Sequence, residues 1–258
     1  MRRTGQLAES AIMPDVRINL LGGCGVSVDG APIAGVPSSF FRIVAYVLIS
    51  GHNYSVTRQR LSGLLWPDID QAKANGNLRQ VLSRVRHLQG VLGVSFLQSN
   101  FSTVFISPNA DSVNCDLLAL LQALPGGHEA NAVTISTLYS GDLLVDIADS
   151  GPDFEEWLSE HRETLRDQVV NQLTSAVQDD SALRESDRAI SATRLLAIEP
   201  CSEDAYRALM IIASWRGQAG RVRSLYDSCQ RRLMHDLGVR PSRETSELFA
   251  LLTRQMAQ

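Results

Sequence analysis

Residues 71–90 read QAKANGNLRQVLSRVRHLQG, and this stretch governs the reading of everything around it. Wound as a helix, it places Leu78, Val81, Leu82, Val85 and Leu88 on one apolar stripe. The opposite face carries Arg79, Gln80, Ser83 and His87, with Lys73, Arg84 and Arg86 along its flanks. Gly76 falls on the same outer face, where a missing side chain lets another backbone come close. The stretch has no Asp or Glu. A solvated helix usually mixes both signs for i,i+4 support, so a one-sign polar face points to an anionic partner. Arg and Gln can also bond base edges in a major groove. A basic surface helix without any partner shows the same pattern, so the flanking elements must decide.

Before it, residues 16–28 (VRINLLGGCGVSV) cluster apolar residues around the glycines at 22, 23 and 25. Two short strands or one bulged strand are expected, with Asp29-Gly30 turning into Ala31-Pro32-Ile33. A phosphate loop is disfavoured, because no GK[ST] follows and no helix opens there. Pro37-Ser38-Ser39 starts a helix, FFRIVAYVLIS, that is apolar around most of its circumference. A second runs from a cap at Ser55 or Thr57 to Trp66, where Pro67 stops it. Asp68 and Asp70 follow, suited to the positive end of the next helix more than to paired acid/base chemistry. Beyond Gly90, Ser95–Gln98 and Thr103–Ser107 alternate around Ser99-Asn100 as a β-hairpin. Strands, three helices and a hairpin are the layout of a winged helix, with 74–89 as the reading helix and 94–107 as the wing.

Pro108–Asn114 forms a boundary, and from Cys115 onward the pattern is helical. Helices are expected near 116–124, 130–139, 154–178, 183–198, 202–216, 219–236 and 243–256, separated by Gly and Pro breaks. Ala205, Leu209 and Ile212, flanked by Trp215, share one face; Val222, Tyr226 and Leu233 share another. The pair is a loose relative of the tetratricopeptide pattern.

Charge divides the chain in the same place. Residues 1–110 hold 10 Lys and Arg against 5 Asp and Glu, whereas 111–258 hold 14 against 23. A basic first part and an acidic second part imply different partners for the two. At 44% hydrophobic residues, a sizeable core is available. Cys24, Cys115, Cys201 and Cys229 form no CxxC pair, which fits a reducing cytosol and argues against a zinc or redox motif. His52, His87, His128, His161 and His235 have no ligand spacing, and neither HExxH nor GxSxG occurs. No enzyme activity, metal or cofactor is expected, and no apolar run is long enough to span a membrane.

Several segments resemble the SARP-type (Streptomyces antibiotic regulatory protein-like) transcriptional activators: VRINLLGGCGVSVDGAPI, PSSFFRIVAYVLI, VTRQRLSGLLWPD, ANGNLRQVLSRVRHL and the tail from Cys201 through LGVRPSRETSEL. LSGLLWPD followed by NLRQVLSRVR, and LGVRPSRET near the end, are the more specific. One departure is Gly23-Cys24-Gly25, where the family more often has an apolar or proline-containing strand. The resemblance implies an OmpR-type winged helix joined to a bacterial transcriptional activator domain of helical repeats. It also implies binding of double-stranded DNA at direct repeats near promoters, a side-by-side homodimer, contact with RNA polymerase holoenzyme and a cytoplasmic location. Larger members add ATPase or sensor domains; this chain has no Walker A or kinase motif and is expected to be a minimal member.

The expected fold is therefore mainly α with a small β component. A tail (1–14, with Met13 a second possible start) precedes a winged helix-turn-helix domain (15–110) and an all-α, tetratricopeptide-like activator domain (111–258). Arg79, Gln80, Ser83 and His87 are expected nearest base edges. Arg42, Arg58, Arg60, Lys73, Arg84, Arg86 and Asn100 are expected at phosphates. Arg84 or Arg86 could instead pair with Asp68 or Asp116, and His87 could be plain helix surface. The alternative function is a protein-interaction adaptor whose winged helix does not bind DNA. Binding that falls steeply with salt separates DNA from that reading.

Overall fold

The computed structural model describes residues 14–107, 113–126, 130–148, 151–178 and 184–257. Contacts group them into two compact units: one of residues up to Leu20, Cys24–Asp116 and Asp146–Phe154, the other of Leu21–Gly23, Leu117–Val145 and Glu155 onward. The expected tail before Pro14 and residues 108–112 of the expected boundary lie outside the described residues.

The first unit opens with β1 (Val16–Asn19), β2 (Gly25–Val28) and β3 (Ala31–Pro32), so the glycine-interrupted stretch is two strands and not one bulged strand. Asp29 and Gly30 both have positive φ, 50° and 81°, as the mirror-image turn of a tight hairpin requires. Around the glycines three backbone donors are already used. The Leu20 N–H donates to the Asp116 carboxylate at 2.9 Å and the Cys24 N–H to the Asp146 carboxylate at 3.0 Å. The Gly22 N–H meets the Asp142 carbonyl at 3.0 Å. These protein oxygens stand where a phosphate loop would leave its donors open.

Helix α1 (Ser38–Ser50) buries residues 39–41 and 43–48, as its all-round apolar sequence demands. Helix α2 (Arg58–Leu65) is capped by Thr57, whose hydroxyl accepts the Arg60 N–H, and Ser55 is not the cap. Ser55–Thr57 is instead a strand, β4, which the sequence reading assigned to a helix start. It pairs antiparallel with β6 (Thr103–Ile106), which pairs with β5 (Leu97–Ser99), giving a three-stranded wing sheet in the order β4-β6-β5. A second correction concerns Val113–Cys115: the expected boundary ends at Asn114 and the helical part opens at Cys115, but the three residues form β7, parallel to β1 with Val16 opposite Val113. The sheet order is β3-β2-β1-β7, and Val16, Ile18, Val113 and Cys115 are buried.

Helix α3 (Gln71–Leu92) is longer than expected at both ends. Asp70 caps it, its carboxylate accepting the Ala72 and Lys73 N–H groups, and Gly93 closes it in the left-handed conformation. Its buried residues are Ala74, Leu78, Leu82, Val85 and Gln89, while Val81 and Leu88 are only half-buried. Gln89 was not anticipated. Its amide accepts the Phe96 and Leu97 N–H groups at 2.9 and 2.7 Å and donates to the Leu97 carbonyl at 2.9 Å. A buried amide satisfied three times pins the start of β5 against α3.

The second unit is helical: α4 (Asp116–Ala123) with a 3-10 turn after it, α5 (Ala130–Leu138), α6 (Pro152–Gln178), α7 (Glu185–Ile198), α8 (Glu203–Trp215), α9 (Ala219–Asp236) and α10 (Arg243–Gln255). The α8–α10 core joins Tyr206, Met210, Ala213, Val222, Leu225, Cys229, Leu233 and Leu252. Ala205 and Ile212 are buried as expected, but Trp215 is exposed. Burial pushes the Cys229 thiol up to about 12, leaving it a neutral apolar filler.

The LGVRPSRET run has a structural use. Ser242 caps α10 by accepting the Thr245 N–H, and its own N–H and hydroxyl donate to Glu203 on α8 at 2.9 and 2.8 Å. Fully buried Thr245 accepts from Arg207 at 3.0 Å, and Arg207 is paired with Asp204. The motif latches the last helix to the one two before it.

Candidate nucleic-acid interface

Within the first unit, α2, α3 and the wing enclose a groove of about 730 Å³. Its walls include Arg58 and Gln59 at the start of α2, Asn75, Arg79, Ser83 and Arg86 of α3, and Ser99, Phe101 and Ser102 of the wing. The α2–α3 angle is held by side-chain bonds. Gln71 donates to the Ser62 hydroxyl at 2.7 Å and to Asn75 at 3.2 Å, and Ser62 donates to Asn75 at 3.1 Å. Leu61, Leu65, Ala74 and Leu78 are buried below.

Of the residues expected at base edges, Arg79 and Ser83 line this groove, whereas Gln80 and His87 are exposed on α3 outside it. Among those expected at phosphates, Arg58 and Arg86 line it and Arg84 is exposed outside it. Among the described residues, no ion pair involves Arg84 or Arg86. Arg42 is half-buried on α1, and Arg60 stands over the Tyr46 ring at 5.6 Å from its centroid. Lys73 lies 3.7 Å from the Asp70 carboxylate, so its poor fit to the helix dipole is answered within the chain. Gly76 faces open space, with nothing near the position a Cβ would take.

Asn100 is turned inward to a task the sequence reading did not give it. Its side-chain oxygen accepts the Ser102 and Thr103 N–H groups at 2.9 and 2.8 Å, organising the hairpin turn. The Asn-x-Ser-Thr order carried that signal. Arg58 donates to the Asn100 carbonyl at 3.2 Å, and its own N–H donates to the Ser102 carbonyl at 2.8 Å. The start of α2 thus holds the wing tip. Phe101, missed from sequence, stands at that tip fully exposed.

Among the described residues no cluster of His, Cys, Asp and Glu could hold a metal, and no helix is long and apolar enough to cross a membrane.

Residues 130–252 match the model of the bacterial transcriptional activator domain. This part of the chain belongs to the bacterial transcriptional activator domain family, the second domain that the resemblance to SARP-type activators implies. A solved structure of Mycobacterium tuberculosis EmbR in complex with a low affinity phosphopeptide has a similar fold, with a TM-score of 0.58 at 19% identity. The match covers 94% of this chain and 66% of that one, so the chain spans just under two thirds of the EmbR length. No curated protein is matched by the sequence.

Proposed function

We propose that this chain is a SARP-type regulator that binds duplex DNA through α3 and the wing, and that its second half carries the bound protein's effect to RNA polymerase. The observation that carries the reading is the groove in which Arg58, Arg79 and Arg86 converge beside an α3 that has no acidic residue. Three arginines line one exposed groove that has no acidic residue in its lining, and a phosphate backbone supplies the charge that complements them. A helix with Arg79 and Ser83 outermost can enter a major groove and address base edges, while Arg58 and Arg86 at its border suit phosphates. Gln80, His87, Arg84 and Lys73 extend the same exposed surface. Activation, side-by-side dimers on direct repeats, and a division between the halves near residue 110 rest on the family and not on the groove.

The test is fluorescence anisotropy of the whole chain on duplexes selected from a random pool by the wild-type protein, over a series of salt concentrations. Arg79→Ala should weaken binding and relax preference at one base position, by roughly 1–3 kcal/mol. Arg58→Ala should weaken all duplexes alike. Binding that ignores salt, or no duplex enriched at all, would favour a protein-docking adaptor.

A further inference from the structure

A lone exposed apolar side chain is ordinary on a protein surface. Phe101 differs from such a residue in how it is held. Its relative exposure is 101%, yet the backbone on both sides of it is tied down. The Asn100 and Ser102 carbonyls accept from the Arg58 guanidinium and the Arg58 N–H, and Asn100 and Thr103 bond across the turn at 3.0 Å. The Asn100 side chain closes the loop from inside. The tip is built as a rigid mount that points an aromatic ring at solvent.

Its surroundings narrow what the ring meets. Phe101 rims the same groove as Arg58, Arg79 and Arg86. The tip itself, Gln98–Thr103, holds no charged residue, so it has no cation of its own for a phosphate. Ser99 and Ser102 are short and polar, which leaves the ring as the large group on this edge. An aromatic wedge beside a basic helix suits a nucleic-acid groove, where apolar side chains enter between base steps or pack on sugars and partly unstack them.

We infer that Phe101 is a minor-groove wedge: with α3 in the major groove, the ring enters the neighbouring minor groove and favours a pyrimidine–purine step there. Such steps unstack most easily, so the wing reads deformability and not a hydrogen-bond pattern. This inference rests on the DNA-binding reading above.

The experiment uses the whole chain and a duplex selected from a random pool by the wild-type protein, with 2-aminopurine placed at successive steps across the protected region. Affinity and 2-aminopurine fluorescence at saturating protein are measured for wild type, Phe101→Ala, Phe101→Leu and Arg79→Ala, each checked for folding by circular dichroism. The expected result is about a tenfold loss of affinity for Phe101→Ala, on the scale of one lost ring–base contact. The salt slope should be unchanged, because no cation is removed. The fluorescence rise at one step should vanish in Phe101→Ala, persist in part in Phe101→Leu, and persist in Arg79→Ala once saturated. If Phe101→Ala matches wild type in affinity and fluorescence while Arg79→Ala binds weakly, the wedge is wrong and DNA binding stands. If Phe101→Ala lowers only cooperativity between neighbouring copies, with fluorescence unchanged, the ring is a protein contact and the inference is overturned. If the wild-type chain binds no duplex, both readings fall together.

Discussion

Gly76 and Gln89 sit on opposite faces of α3 and separate binding from stability. Gly76 faces open space in the helix interior, so Gly76→Ala should stabilise the fold by up to about 1 kcal/mol on helix propensity. The same methyl projects from the surface proposed to face DNA, so duplex affinity should fall while the melting temperature rises. Melting and anisotropy on one preparation check both; a rise in both would show that nothing approaches Gly76 closely. Gln89→Leu should act the other way. It leaves the Phe96 and Leu97 N–H groups and the Leu97 carbonyl unpaired, costing roughly 2–4 kcal/mol in urea denaturation. Glutamine in a basic helix reads as surface, and nothing in the local pattern announced its buried task. Asn100 makes a related point: an exposed turn position was legible, but the turn of its side-chain oxygen onto the Ser102 and Thr103 N–H groups was not.

At the level of elements, the contact between α8 and α10 is the clearest case of a motif with a measurable job. Burial opposes the charge on Glu203, but hydrogen bonds from Thr245 and Ser242 outweigh it and hold the carboxyl below its ordinary range. A depressed folded pKa means that the stabilisation is present above the ordinary carboxylate pKa. It is lost as pH falls through the folded value. Acid should therefore loosen α10 first. Hydrogen exchange along residues 243–255 should accelerate below the ordinary carboxylate range in wild type, and Glu203→Gln should show faster exchange already at neutral pH with little further change in acid. Ser242→Ala should cost about 1 kcal/mol through the lost cap. The β1–β2 connection behaves differently. A Cβ on Gly22 would lie 2.6–2.9 Å from Ser140 atoms, and its φ is +70°. Gly22→Ala combines a clash with a strained backbone and should destabilise by roughly 2–4 kcal/mol, read as a lower midpoint in urea.

For the whole molecule, the charge asymmetry sets the salt response. Three or four cations at phosphates, drawn from Arg58, Arg86, Arg84 and Lys73, predict a log–log salt slope of about −3 to −4. A slope near zero in anisotropy titrations would remove the phosphate assignments together. The net of +5 in residues 1–110 against −9 in the remainder places the proposed DNA contacts in the half whose charge suits an anion.

The sequence by itself determined the helices, because periodicity, caps and Gly or Pro breaks are local: α5 through α10 begin and end within a few residues of where the pattern puts them. It also carried the resemblance to SARP-type activators, through LSGLLWPD, NLRQVLSRVR and LGVRPSRET. Only the tertiary structure decided what depends on residues far apart in the chain. The parallel pairing of β7 with β1 joins Val16 to Val113, and the pairing of β4 with β6 joins Ser55 to Phe105. A three-residue strand has no period long enough to see; its identity lies in the partner that fills its hydrogen bonds. The same holds for the candidate interface. Residues 71–90 announced a basic face, but which of its cations share a groove was settled by where Arg58 and the wing come to stand.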